Sequence, residues 1–167
     1  MKTQAVCVVL AGLLLLAPPA AFAHRLVPDD GTHTTEDNAI FLDDPGLSQV
    51  VYHEVTTESN AIWIAFDAAA GDSLYWQLGI PAIAGLEDYR PTVALIGPGL
   101  PAITWPYATP EGMGGVILDT EGMDAERFDE HFTGTVDWII HGEDRVLTQA
   151  GRYYLVGYHP DGTAGKF

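Results

Sequence analysis

His24 is the residue whose position points most directly to chemistry, because it follows Ala21-Phe22-Ala23, a small-x-small triplet of the kind a signal peptidase cleaves. Cleavage after Ala23 leaves His24 with a free α-amine beside its imidazole, and those two nitrogens together chelate one Cu(II). A second histidine would complete the site, and His33, His131, His141 and His159 are the available partners. His33 is favoured: the same polar stretch carries it, and a turn at Asp29-Asp30-Gly31 would fold it back. His131 follows.

The other reactive groupings are incomplete. His53-Glu54 opens like a zinc-protease helix, but Thr57 stands where the second histidine belongs. On a strand, His53 reads instead as an outward or half-buried side chain. Ser48, Ser59 and Ser73 are the serines, and none sits in a Gly-x-Ser-x-Gly elbow. Carboxylates come in neighbouring pairs at Asp29-Asp30, Asp43-Asp44, Glu87-Asp88, Asp129-Glu130 and Glu143-Asp144. Adjacent strand residues point to opposite faces, so such pairs make no acid–base couple by themselves. In loops they would suit Ca²⁺, although no EF-hand or nonapeptide spacing accompanies them. Solvated turn charges are the simplest reading. The aromatics Trp63, Trp76, Trp138, Tyr75, Tyr153, Tyr154 and Tyr158 would serve either as core or as a glycan-stacking platform. Tyr153 and Tyr154 are neighbours on a strand, which directs one of them to the surface.

These groups need a scaffold, and the chain divides into three parts. Residues 1–23 read as a cleavable signal peptide: Lys2, an apolar run from Ala5 to Leu16 too short to span a bilayer, Pro18-Pro19, and the cleavage triplet. No later segment resembles a transmembrane span. Residues 24–45 are polar and turn-rich, an extended arm whose apolar anchor is Ala39-Ile40-Phe41-Leu42. Residues 46–167 make one domain. Cys7 is the single cysteine, so the mature domain, outside the cytoplasm, relies on packing and not on disulfides. The formal net charge of −16 repels phosphate backbones and anionic headgroups, which argues against nucleic acid and leaves cations, basic partners or solubility.

Within that domain the dominant period is two. Gln49–Val55, Ala61–Phe66, Ser73–Ile80, Pro91–Ile96, Gly115–Asp119, Val136–His141 and Arg152–Tyr158 read as strands. Glycine, proline and aspartate punctuate them at Ala70-Gly71-Asp72, Gly97 to Pro101, Glu111 to Gly115 and Pro160-Asp161-Gly162. In Ser73–Ile80, Leu74, Trp76, Leu78 and Ile80 form the buried set. Only Asp124–Glu130 could make a helical turn, and it reads as a loop insertion. The end of the chain reads as a hairpin whose second strand stops as it starts, so that either the chain is truncated or Arg152–Tyr158 is left as an edge that a partner could extend. The expected architecture is an all-β, two-sheet antiparallel sandwich, jelly-roll-like, with an extended N-terminal arm.

Three stretches carry a resemblance: Asp67 to Trp76 with its Ala-Gly-Asp turn, Pro91-Thr92-Val93-Ala94-Leu95-Ile96-Gly97-Pro98-Gly99, and Ala150-Gly151-Arg152-Tyr153-Tyr154-Leu155-Val156. Their layout over Gln49–Phe167 resembles the secreted pre-peptidase C-terminal (PPC) β-sandwich domains. The block from Glu87 to Pro101 is also similar to a group of uncharacterised exported bacterial proteins. The resemblance implies a sandwich that accompanies enzymes and binds an unknown protein or small ligand, and it supplies no catalytic residue. The expected function is therefore an exported, non-catalytic binding or accessory domain. A copper-binding protein using His24 and His33 is the alternative, and a secreted hydrolase is third.

Overall fold

The computed structural model describes residues 25–130 and 134–167. The signal segment, His24 and His131 lie outside the described residues. Twelve strands are described: β1 Arg25–Leu26, β2 Ile40–Leu42, β3 Gln49–Val50, β4 Glu54–Val55, β5 Ala61–Ala68, β6 Ser73–Pro81, β7 Thr92–Gly97, β8 Gly114–Leu118, β9 Glu126–Glu130, β10 Thr135–Val146, β11 Gly151–Tyr158 and β12 Gly165–Lys166. The helical content among the described residues is one 3₁₀ turn, Glu36–Asn38. The chain is thus an all-β sandwich. One sheet has the order β2-β5-β11-β7-β8 and the other β6-β10-β9. Every pairing in these two sheets is antiparallel except β2 on β5. Two short ladders, β1 with β3 and β4 with β12, fasten the ends.

Strand β6 follows its sequence pattern, with Leu74, Trp76, Leu78 and Ile80 buried and Ser73, Tyr75 and Gln77 exposed. Strand β7 does not alternate, for all six of its residues are buried. The cause is a cover. The segment between β7 and β8 brings Ile103, Trp105, Tyr107 and Met113 down onto Ala61, Trp63, Ala94, Ile96, Val156 and Tyr158, the outer side of the large sheet. Trp105 lies 5.6 Å from Trp63, and Tyr107 lies 5.3 Å from Tyr158. Burial there pushes the Tyr158 phenol up to about 12, with Tyr107 and Asp119 adding to the shift. Tyr153 and Tyr154 do face opposite ways, but neither forms an open platform. Tyr153 stacks on Phe66 in the core, and Tyr154 packs edge-on against Trp63.

The glycines that looked like turn markers also serve packing. A side chain at Gly97 would overlap the Tyr153 ring, whose hydroxyl donates to the carbonyls of Pro98 and Gln149. The Gly97-Pro98 and Gly151–Tyr153 stretches, separated in sequence, therefore form one joint, and their chemistry is that of the fold.

Two expectations are corrected. Asp124–Glu130 makes no helical turn: Glu126–Glu130 is β9, in register with Ile139–Thr135 of β10. So short a helix cannot repay its own nucleation, whereas the strand gains a continuous ladder. The C-terminal hairpin is also different. Strand β11 is no edge, since it lies between β5 and β7. Phe167 is buried, accepts a hydrogen bond from the His53 amide at 2.7 Å and donates one back at 3.1 Å. The apolar ring drives this docking, meeting the His53 ring edge-on at 5.4 Å. Along the N-terminal stretch, Ile40–Leu42 becomes an edge strand of the large sheet, and Arg152 bridges it to β5, with its guanidinium over Phe41 and a hydrogen bond to Asp67.

Candidate functional site

Strand β6 pairs with β10 on one side, and among the described residues no strand pairs with its other edge. A cleft of about 480 Å³ opens there. Every residue from Ser73 to Gly79 lines it; because side chains alternate, an unbroken run means that the free edge of the strand itself faces the cleft. Ile62, Ile64 and Phe66 of β5, Leu155 of β11 and Leu42 of β2 add apolar walls, and the segment 45–52 closes a further side. Sealed, dry and empty, such a volume would cost on the order of 11 kcal/mol at ~24 cal/mol per Å³, comparable with the whole stability of a domain. The cleft is open to the outside instead.

Register sets the acids on the face of the small sheet that carries Gly79, away from Leu74, Trp76 and Leu78. Ile139 stands opposite Gly79, Asp137 opposite Phe128, and Thr135 opposite Glu130, so all of them share one face of the small sheet. Phe128, Glu130, Asp137 and Ile139 all line the cleft, and both carboxylates are buried. The Tyr52 hydroxyl donates to Asp137 Oδ2 at 3.2 Å, as does the Thr135 hydroxyl at 3.3 Å. Burial raises the Tyr52 pKa, and the nearby Asp137 and Glu130 charges add to that. The lining contains no Lys, Arg or His among the described residues. Trp76 also lines the cleft, and its buried Nε1–H has no hydrogen-bond partner.

A second cluster lies on the arm. Asp29, Asp30 and His33 each offer a ligand atom within 4.8 Å of the others, the only such group among the described residues. The sequence places them by turn chemistry: Asp29 accepts from the Gly31 amide, and Asp30 accepts from the Thr32 amide and hydroxyl. Those Thr32 hydrogen bonds, with His33 adding a smaller effect, lower the Asp30 pKa. Gly31 adopts φ +79°, which suits glycine. His33 Nδ1 lies 2.5 Å from the Asn38 carbonyl, which can only accept, so Nδ1 carries a proton, and Nε2 faces Asp30 at 3.6 Å.

His53 departs from its expected outward or half-buried position. Its ring is buried, with Nδ1 2.8 Å from Asp29 Oδ2 and Nε2 3.3 Å from the Ser59 carbonyl. An Asp, a His and a Ser thus meet, but not as a nucleophile: the imidazole faces the serine's backbone oxygen, while the Ser59 hydroxyl is buried and unpartnered. The group ties the arm to the C-terminus.

The remaining sequence candidates are dispersed. His159 stacks on Tyr89, with ring centroids 4.8 Å apart, and His141 lies half-buried in β10. Asp88, Asp119, Glu121, Asp124 and Asp161 border a shallow depression together with Arg90, without gathering ligand atoms as closely as the arm does. Glu143 pairs with Arg145 at 2.8 Å. Sequence reasoning passed over Tyr52, Asp137 and Trp105. The signal for Asp137 was present: it interrupts Val136-Asp137-Trp138-Ile139-Ile140, and a carboxylate inside an apolar strand requires a reason.

No family model matches this chain, and no curated protein matches it.

Proposed function

We propose that this chain is an exported, non-catalytic binding domain that takes an apolar small molecule into the cleft beside β6. The observation that carries the reading is the cleft: a volume of about 480 Å³, within the usual range of ligand pockets, with apolar walls on a rigid sheet and a few converging polar groups. The Ala21-Phe22-Ala23 triplet supports export. N-phenyl-1-naphthylamine, a neutral fluorophore that brightens in apolar surroundings, tests the reading. Saturable brightening is expected, and Ile64→Trp, which fills the cleft from β5, should weaken it at least roughly tenfold, about 1.4 kcal/mol. Ile117→Trp, on the exposed side of β8, should leave it unchanged. No brightening, or equal brightening in a folded Ile64→Trp protein, would contradict the proposal.

The arm cluster favours a second reading, a metal-binding protein. His33 presents Nε2 while its other nitrogen is held by a carbonyl, the arrangement that orients metal-binding histidines, and the Asp29 and Asp30 carboxylates lie beside it. With His24 at the mature N-terminus, Cu(II) is the ion to try. Processed protein should bind one equivalent with a tetragonal electron paramagnetic resonance signal. Both His33→Ala and one extra residue before His24 should abolish it, the latter by turning the amine into an amide. Unchanged copper affinity in both would reduce the effect to ordinary surface-histidine binding.

A further inference from the structure

We propose that the free edge of β6 docks an extended peptide as a further antiparallel strand of the small sheet, with apolar side chains turned into the cleft and basic ones turned outward. This stands on the strand edge, so it and the small-molecule reading can fail separately. Two hydrogen bonds flanking β6 fix the direction of its backbone groups: the Leu147 N–H donates to the Asp72 carbonyl at one end, and the Ala82 N–H donates to the Val136 carbonyl at the other. Backbone groups in an antiparallel pair alternate between the two sides of a strand. The even-numbered residues of β6 therefore bond to β10, while Ser73, Tyr75, Gln77 and Gly79 direct N–H and C=O to the free edge. Pro81, the next odd position, agrees, since proline lacks an N–H and is tolerated where a strand faces no partner. Neither a charge nor a proline interrupts Ser73–Ile80, so the edge lacks the usual guards against an added strand. Strand β3, whose residues also line the cleft, pairs with β1 instead. Side chains of an added strand alternate: those on the Leu74 side face the cleft walls Leu42, Ile64 and Phe66, and those on the Tyr75 side share a face with the exposed Asp144, which stands opposite Tyr75. No Lys, Arg or His lines the cleft among the described residues, and the formal charge of −16 draws a basic partner while repelling a second copy of this chain. Ser73 to Gly79 spans about 20 Å, a stretch that seven residues pair.

A capped, dye-labelled heptapeptide alternating lysine and valine, with lysine at both ends, can be titrated by fluorescence polarisation on the processed protein, and saturable binding is expected. In an antiparallel pair its lysines stand opposite Ser73, Tyr75, Gln77 and Gly79 and exchange hydrogen bonds with them. Methylating the lysine backbone nitrogens should therefore weaken binding at least roughly tenfold, whereas methylating the valine nitrogens should change it less than about threefold. Both methylated peptides keep the same side chains and charge, so bare electrostatic attraction does not separate them. Replacing every lysine by glutamate should also weaken binding at least roughly tenfold. Amide exchange gives a second readout: the N–H groups of Tyr75, Gln77 and Gly79 should exchange fast in the free protein and at least roughly tenfold more slowly at saturating peptide, while those of Trp76 and Leu78, bonded to β10, stay slow in both. Gln77→Pro takes an N–H from the free edge and none from the β10 ladder, so it should fold and lose peptide affinity. If that variant does not fold, the methylated peptides and the exchange of the wild type decide. No saturable binding, equal binding of the two methylated peptides, or three amides that stay fast at saturating peptide overturns the inference, and an equally tight glutamate peptide overturns the partner chemistry. The fluorophore titration of the small-molecule reading is independent of all of these results.

Discussion

His53→Ala is expected to lower the unfolding free energy by about 3 kcal/mol, and Asp29→Ala by a similar amount. Each substitution strands a partner. Without the imidazole, the Asp29 carboxylate stays buried with one backbone amide to satisfy it; without the carboxylate, Nδ1 of a ring that is almost wholly enclosed loses its acceptor. His53→Ala also removes the ring against which Phe167 docks, and so loosens the ladder between β4 and β12. The double variant should cost clearly less than the sum of the singles, because the second removal no longer leaves a buried group alone. Urea denaturation of the four proteins supplies the cycle. Additive effects, or single losses under about 1 kcal/mol, would mean that the pair decorates the arm without holding it.

Trp76→Ala carries the largest packing penalty, on the order of 3–5 kcal/mol, since the indole is buried among Leu74, Leu78 and the inner face of the large sheet. In a domain of ordinary stability that is a third or more of the total. Trp76→Phe should cost far less: the indole N–H it removes has no partner, so no hydrogen bond is lost. Asp72→Ala, in the exposed turn before β6, gives up one hydrogen bond from the Ala69 amide and should cost about 1 kcal/mol. Equal denaturation midpoints for Trp76→Ala and Asp72→Ala would show that the faces of β6 are reversed.

The strands were legible because period-two alternation and turn residues are local signals. β6 is the clearest case, where Leu74, Trp76, Leu78 and Ile80 reveal the buried face before any partner is known. β7 shows the limit of that logic, since its second buried face is made by Trp105 and Tyr107 from a segment with no period of its own. β9 was misread for a related reason, as its partner β10, which stabilises it, lies beyond a turn. The site was legible only in part. Asp29, Asp30 and His33 are close in sequence, and ordinary turn chemistry brings them together. The cleft depends on register between β6, β10 and β9, which sets Asp137 and Glu130 on one face; a shift of one residue would send both carboxylates to the other side. His53 looked like a strand residue because its partners, Asp29 and Phe167, lie at the two ends of the described chain.

The most direct test of the cleft as a binding site is a methyl-resolved NMR titration with N-phenyl-1-naphthylamine. Saturable shifts should appear at Ile62, Ile64, Leu74 and Leu155, which line the cleft, and stay near zero at Ile96 and Val156 beneath the Trp105–Tyr107 cover. Shifts confined to Ile96, Val156 and Ile103, or none at saturating probe, would contradict it.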